Sequence, residues 1–312
     1  MQVQRLSGIV LEAADLAATR AFYEPIFTHH SGTWEQSANR LLFSTPTESV
    51  EFVRHARPRT YQGGGYHQAY RVPAAKLKQL AQSYASAGSA LEWWREDHPD
   101  ERVPSPYLED PSGNRVQLVA SDQNGRLIDH VAVEVYEFDY CEYLWVTTLG
   151  GNVQYYHGWR REDQIEAKQW ASGDDPCAPW TRKDNPSYRD FLIVDPVTGE
   201  ERPARFAGEV GAERPSGPPK VPRPNGQVFY TYGDSRLALI SATRVWQEQP
   251  EEIVKSTPRL VFDVAQDADA VAEALAPTPI PWEREGNTIY VRDADGNFAE
   301  LRSPSPSGRG QG

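Results

Sequence analysis

A plan repeated four times constrains this chain more than any other feature. Along 312 residues a short apolar strand gives way to an amphipathic helix and then to strands closed by tight turns. The first unit opens with Ser7–Ala13 and continues into a helix from Asp15, whose carboxylate can accept the free N–H groups of the first turn. Period-two alternation then predicts strands at 31–36, 40–45 and 49–55. The second unit opens at Tyr66–Val72, has a helix over 74–87 ended by Gly88, and continues with strands near 90–95 and 104–109. It closes with the turn Asp110-Pro-Ser-Gly-Asn114 and the strand Arg115–Val119. The third begins with His130–Val135 and a helix over about 138–149. The fourth runs from Arg259–Val264 through a helix over 267–275 to Asn287–Val291, the turn Asp293-Ala-Asp-Gly-Asn297 and Phe298–Arg302.

The third unit is interrupted. Residues 160–226 are dense in Pro, Gly and charge, and strands return only at Gln227–Tyr232 and Leu237–Ser241. A connection of that length inside a domain reads as a lid or as an exposed insertion. The end of the chain, 305–312, is composed like a disordered tail.

Composition removes several classes of function. A net charge of −12 argues against nucleic acid or an anionic membrane as a partner. No stretch approaches the ~18 apolar residues of a membrane helix, and the first residues do not read as a signal peptide. Cys141 and Cys177 are the only cysteines, which excludes a disulfide scaffold and a cysteine zinc site and suits a reducing cytoplasm. The expected partner is a small molecule, with homo-oligomerisation left open.

Two D-P-x-G-like turns before a last strand, each behind a strand–helix start, resemble the vicinal oxygen chelate superfamily of glyoxalases, bleomycin-resistance proteins and type I extradiol dioxygenases. The resemblance implies an α+β fold of four βαβββ units in two tandem cup-shaped domains. Sequential pairing places the first domain at 1–122 and the second at 127–304. In this superfamily a divalent metal sits in the cup, held by side chains from the first and last strands of both units. Such a metal grips two neighbouring substrate oxygens and stabilises an enolate.

Carried onto this sequence, the resemblance places Glu51, His67 and Gln117 at ligand positions of the first domain, with Gly8 at the remaining one. In the second it places His130 and Glu300, with Arg259 opposite. Arginine cannot ligate, so a buried Arg259–Glu300 ion pair, or an anion pocket, is the economical reading there. His98 and Tyr107 fall where the superfamily keeps an acid–base or hydrogen-bonding group. Were unit two to face unit three instead, His67, Gln117 and His130 would share one cup.

Two functions follow from the resemblance. One is a metal-dependent enzyme using Fe, Mn, Ni or Zn, either a ring-cleaving dioxygenase or a glyoxalase-like lyase. The other is a metal-free protein that sequesters a flat ligand by burial. Each candidate also has a plain structural reading. His67 and His130 could be hydrogen-bonded strand residues, Glu51 a partner of Arg54, and His98 a solvated loop residue.

Overall fold

In a computed structural model the described residues are 1, 3–58, 66–89, 91–94, 105–121, 125–135, 141, 143–157, 192–194, 201–203, 227–241, 252–293 and 295–304. The fold is α+β, with four βαβββ units arranged in two eight-stranded sheets. Unit one comprises β1 (Val3–Ala13), α1 (Leu16–Phe27), β2 (Thr33–Gln36), β3 (Arg40–Ser44) and β4 (Ser49–Arg54). Unit two comprises β5 (His67–Val72), α2 (Ala74–Ser86), β6 (Leu91–Trp94), β7 (Ser105–Glu109) and β8 (Arg115–Ala120).

Unit three contains β9 (Ile128–Val135), β10 (Asn152–His157), β13 (Gln227–Tyr232) and β14 (Ser235–Ser241). The described part of its expected helix is Cys141 and a π-helical turn, Tyr143–Thr148. Between β10 and β13, within the insert, β11 (Leu192–Val194) and β12 (Glu201–Pro203) form a small antiparallel pair. Unit four comprises β15 (Arg259–Val264), α3 (Ala268–Leu275), β16 (Trp282–Glu285), β17 (Thr288–Arg292) and β18 (Phe298–Arg302). The tail at 305–312 lies outside the described residues. Among the described residues no helix is long and apolar enough to cross a membrane.

The units do not pair in sequence order. One sheet runs β16-β17-β18-β15-β1-β4-β3-β2 and the other β10-β13-β14-β9-β5-β8-β7-β6. Unit one therefore shares a sheet with unit four, and unit two with unit three. The boundary near residue 122 falls between two units of the same sheet. The chain reverses between β8 and β9 over a short link, and β9 lies antiparallel to β5. Glu48, at the β3–β4 turn, holds this link. Its carboxylate accepts from the backbone N–H of Leu127 at 2.6 Å and from Arg126 at 2.8 Å.

The two sheets share one apolar core. On α1, Tyr23 lies 4.6 Å from Phe52 of β4 and 5.9 Å from Tyr70 of β5, between rings belonging to different sheets. The closing turns explain why a D-x-x-G-N pattern recurs. Asp110 Oδ1 accepts the backbone N–H groups of Ser112 and Asn114, both at 2.8 Å, while Gly113 takes φ 89°, a conformation costly for a residue with a Cβ. Asn114 Nδ2 then donates 3.2 Å to the Glu12 carbonyl of β1, in the opposite sheet. Unit four repeats the device, with Asn297 Nδ2 donating 2.9 Å to the Glu134 carbonyl of β9. The motif that marks the fold is thus a clasp between the sheets.

Candidate functional site

Strand register decides which polar side chains can meet. In the sheet of units two and three, Tyr107 pairs with Gln117, Gln117 with Ala69, Ala69 with His130, and His130 with Arg236. Residues in such a transverse row share a face. His67 lies on the same face two residues from Ala69, opposite Ala132. The pairs His67–Ala132 and Ala69–His130 are exchanged by a local two-fold relation between β5 and β9, so the two histidines occupy equivalent positions.

Their rings meet. His67 Nε2 lies 3.1 Å from His130 Nε2, and the planes cross at 84°. Both side chains are buried. Tyr107 stands edge-on to His67 at 5.1 Å between centroids and carries the Arg115 guanidinium 4.4 Å over its own ring. Phe229 stands edge-on to His130 at 5.3 Å and forms a small apolar cluster with Ala132 and Ala238. Gln117 is buried and in register with Tyr107 and Ala69, and its Oε1 accepts no hydrogen bond among the described residues.

Behind His130 stands Asp129. The β5–β9 register slips between Ala69–His130 and Tyr70–Ile128, so Asp129 is the extra residue of a β-bulge. The bulge lets a sequence neighbour of His130 reach its ring, with Asp129 Oδ1 2.8 Å from His130 Nδ1. Asp129 also accepts from Arg71 Nε at 3.0 Å and from Arg236 Nη2. Burial opposes its charge, but the hydrogen bond from His130 and the charges of His130, Arg236 and Arg71 outweigh it and hold the carboxyl well below the usual range. An ionised carboxylate only accepts, so His130 Nδ1 carries the proton and, in the neutral ring, Nε2 is bare toward His67.

The equivalent face of the other sheet is built differently. Val10 pairs with Glu51 on one side and Arg259 on the other, while Val261 pairs with Gly8 and Glu300. Glu300 is locked by two arginines, at 2.6 Å from Arg259 Nε and 2.7 Å from Arg302 Nε. Burial pushes its pKa up, and the charges of Arg259 and Arg302 overcome that and bring it below the ordinary value. Ile253, Tyr290 and Phe298 close together beside this network.

The candidates predicted from sequence are therefore regrouped. Glu51 does not join His67 and Gln117. It belongs to the other sheet, where Arg40 on the adjacent strand binds it at 2.8 Å, in place of the expected Arg54. His130 and Glu300 likewise lie in different sheets. His67, Gln117 and His130 share one face, and Tyr107 borders it. His98 lies outside the described residues. Asp129, Arg71 and Arg236 escaped sequence reasoning, since strict alternation would aim Asp129 away from His130.

A divalent cation fits the first of these faces and not the second. Two imidazole nitrogens about 2.1 Å from one ion, at angles from octahedral to tetrahedral, lie roughly 3.0–3.4 Å apart, which brackets the His67–His130 separation. The orphaned Gln117 oxygen lies on the same face and would serve as a third donor, and Asp129 stands where a carboxylate commonly orients a ligating histidine. Among the described residues no three His, Cys, Asp or Glu side chains cluster to hold a metal, so a third donor on this face would be a neutral amide. In the other sheet Glu51 and Glu300 are committed to guanidinium groups.

Paired βαβββ units curled into cups, with polar side chains on their first and last strands, define the vicinal oxygen chelate fold, and this chain has it. Glyoxalase I from Zea mays superposes with a TM-score of 0.56 at 15% identity, covering 95% of this chain and 91% of that one. A Bacillus subtilis protein provisionally named a dioxygenase superposes at 0.51 with 12% identity, covering 98% and 86%. No protein-family model matches the sequence, and no curated protein matches it. At such identities the likeness concerns the fold.

Proposed function

We propose that this chain is a metal-dependent enzyme acting on a small molecule with two adjacent oxygens, with its centre on the face shared by units two and three. The observation that carries the reading is the 3.1 Å approach of His67 Nε2 and His130 Nε2 with Asp129 fixed behind. His67, His130 and the Gln117 carbonyl oxygen would hold the ion. Nitrogen and neutral oxygen donors suit Mn, Fe, Ni or Zn.

When bound, such an ion acts as a Lewis acid on the paired oxygens of the substrate. The chain supplies the rest. Asp129 holds the His130 ring in one tautomer. Tyr107 and Phe229 wall the two histidines on either side, which limits water at the reacting atoms. Tyr107 and His98 are the proposed hydrogen-bonding and acid–base groups. An iron centre that activates dioxygen commonly uses two histidines and one carboxylate. Glutamine at that place favours glyoxalase-like isomerisation or lyase chemistry over ring cleavage.

The test is cobalt(II) substitution read by visible absorption. Ligand-field bands that appear at one equivalent, shift when catechol is added as an oxygen-pair probe, and vanish in His67→Ala support the reading. A second reading, metal-free binding of a flat ligand, draws on the hydrogen bond that satisfies the two histidines without an ion and on the apolar Ala132, Ala238 and Phe229 beside them. No cobalt bands at any loading, with catechol still bound, would favour it.

A further inference from the structure

Arg236 gives the proposed centre a preference that neither the fold nor the ligand positions supply. It lies in direct register with His130 on the neighbouring strand, and adjacent strands are about 4.8 Å apart. A single nitrogen, Nη2, reaches Asp129 Oδ1. A guanidinium presents five N–H donors in a rigid fork. The side chain keeps 27% of its surface exposed, against 4% for Asp129. Asp129 is thus a single negative charge shared by two permanent cations, since Arg71 Nε also binds it at 3.0 Å. The three groups together leave one positive charge beside the histidine pair. The other carboxylate on β9, Glu134, begins four residues, roughly 13 Å, farther along the strand. In a chain of net charge −12 the Arg71–Asp129–Arg236 cluster carries the opposite sign.

We infer that the ligand of this face is an anion: a small carboxylate with a second oxygen on the adjacent carbon, of the 2-oxo or 2-hydroxy acid class, its carboxylate held by the free side of the Arg236 guanidinium. A cation between His67 and His130 and a guanidinium on the next strand would put two electrophilic groups on one face. A ligand that satisfies both has its negative charge next to its chelating oxygens. A diol or catechol, which has no carboxylate, would engage the ion and cover the outer side of the Arg236 fork without giving those N–H groups an acceptor. This inference rests on the metal reading above.

The experiment is calorimetric titration of the manganese-loaded full chain with oxalate, the smallest carboxylate of this type, and with catechol as the chelating probe that has no carboxylate, in wild type, Arg236→Gln and Arg236→Lys. Metal content is measured first in each. We expect Arg236→Gln to weaken oxalate at least tenfold and catechol less than threefold, with Arg236→Lys restoring most of the oxalate affinity. Equal weakening of both probes, or unchanged oxalate binding in Arg236→Gln with manganese retained, overturns the inference and leaves the metal reading standing. Should Arg236→Gln lose the metal, Arg236→Lys decides, because tenfold loss of oxalate with charge and manganese intact also overturns it. Absence of manganese from the wild type overturns both.

Discussion

Asp129 and His130 are consecutive on one strand, yet the carboxylate of the first lies 2.8 Å from Nδ1 of the second. Alternation forbids this in a regular strand, and the bulge in β9 permits it. In the Asp129→Asn variant the ring loses its charged anchor, and Arg71 and Arg236 lose their counter-ion. Outer partners of this kind are worth about 10–100-fold in metal affinity. We expect a loss in that range by competition with a chelator, and a change in the nitrogen NMR signature of His130 from a single Nδ1–H tautomer to a mixture. An unchanged affinity would reduce Asp129 to a structural role.

Arg259 and Glu300 make the corresponding prediction for the other sheet. Both are buried, with side-chain exposures of 9% and 6%. Glu300→Gln leaves the Arg259 charge without its counter-ion, at a cost of about 3–5 kcal/mol. Urea denaturation should register that loss while metal content stays the same, because Glu300 lies in the sheet that does not carry the proposed centre.

The sheet-to-sheet clasps predict a matched pair of effects. Asn114→Ala and Asn297→Ala each remove a buried amide that caps a carbonyl of the opposite sheet. Each should cost about 1–3 kcal/mol in chemical denaturation. The two clasps share no residue, so the double variant should add to within about 0.5 kcal/mol.

These clasps also show where sequence reading succeeds and where it stops. Asp110, Gly113 and Asn114 are legible because a tight turn before a strand demands those residue types, and the same holds for Asp293, Gly296 and Asn297. The four units follow from periodicity. Which unit shares a sheet with which does not, since a half-buried strand alternates identically against any neighbour. The shorter connection suggests sequential pairing, and the antiparallel β5–β9 register overrides it. The locations of Glu51 and His130 change with that pairing. The Arg259–Glu300 bridge is legible once the resemblance sets the two residues opposite each other, whereas Asp129 is hidden by a one-residue bulge that no periodicity reports.

Protonation near the second clasp gives a pH dependence. Burial pushes Asp293 up to about 6, with the neighbouring Asp295 charge adding to it against the hydrogen bonds from Asn297 and Trp145. A carboxyl raised in the folded state binds more protons than in the unfolded chain. It therefore stabilises fully below the ordinary value of 3.8, and that contribution is lost as pH rises through about 6. Thermal melts should show stability increasing from pH 7.5 to 5 by on the order of 1–3 kcal/mol from this group. Asp295→Asn, which removes the like charge, should flatten the trend.

Metal analysis of the purified, reconstituted full chain bears most directly on the central claim. The account predicts one Mn, Fe, Ni or Zn ion per chain, lost in His67→Ala and in His130→Ala and retained in Glu51→Gln and Glu300→Gln. A chain that takes up no divalent ion, or one whose ion survives both histidine substitutions, would contradict it.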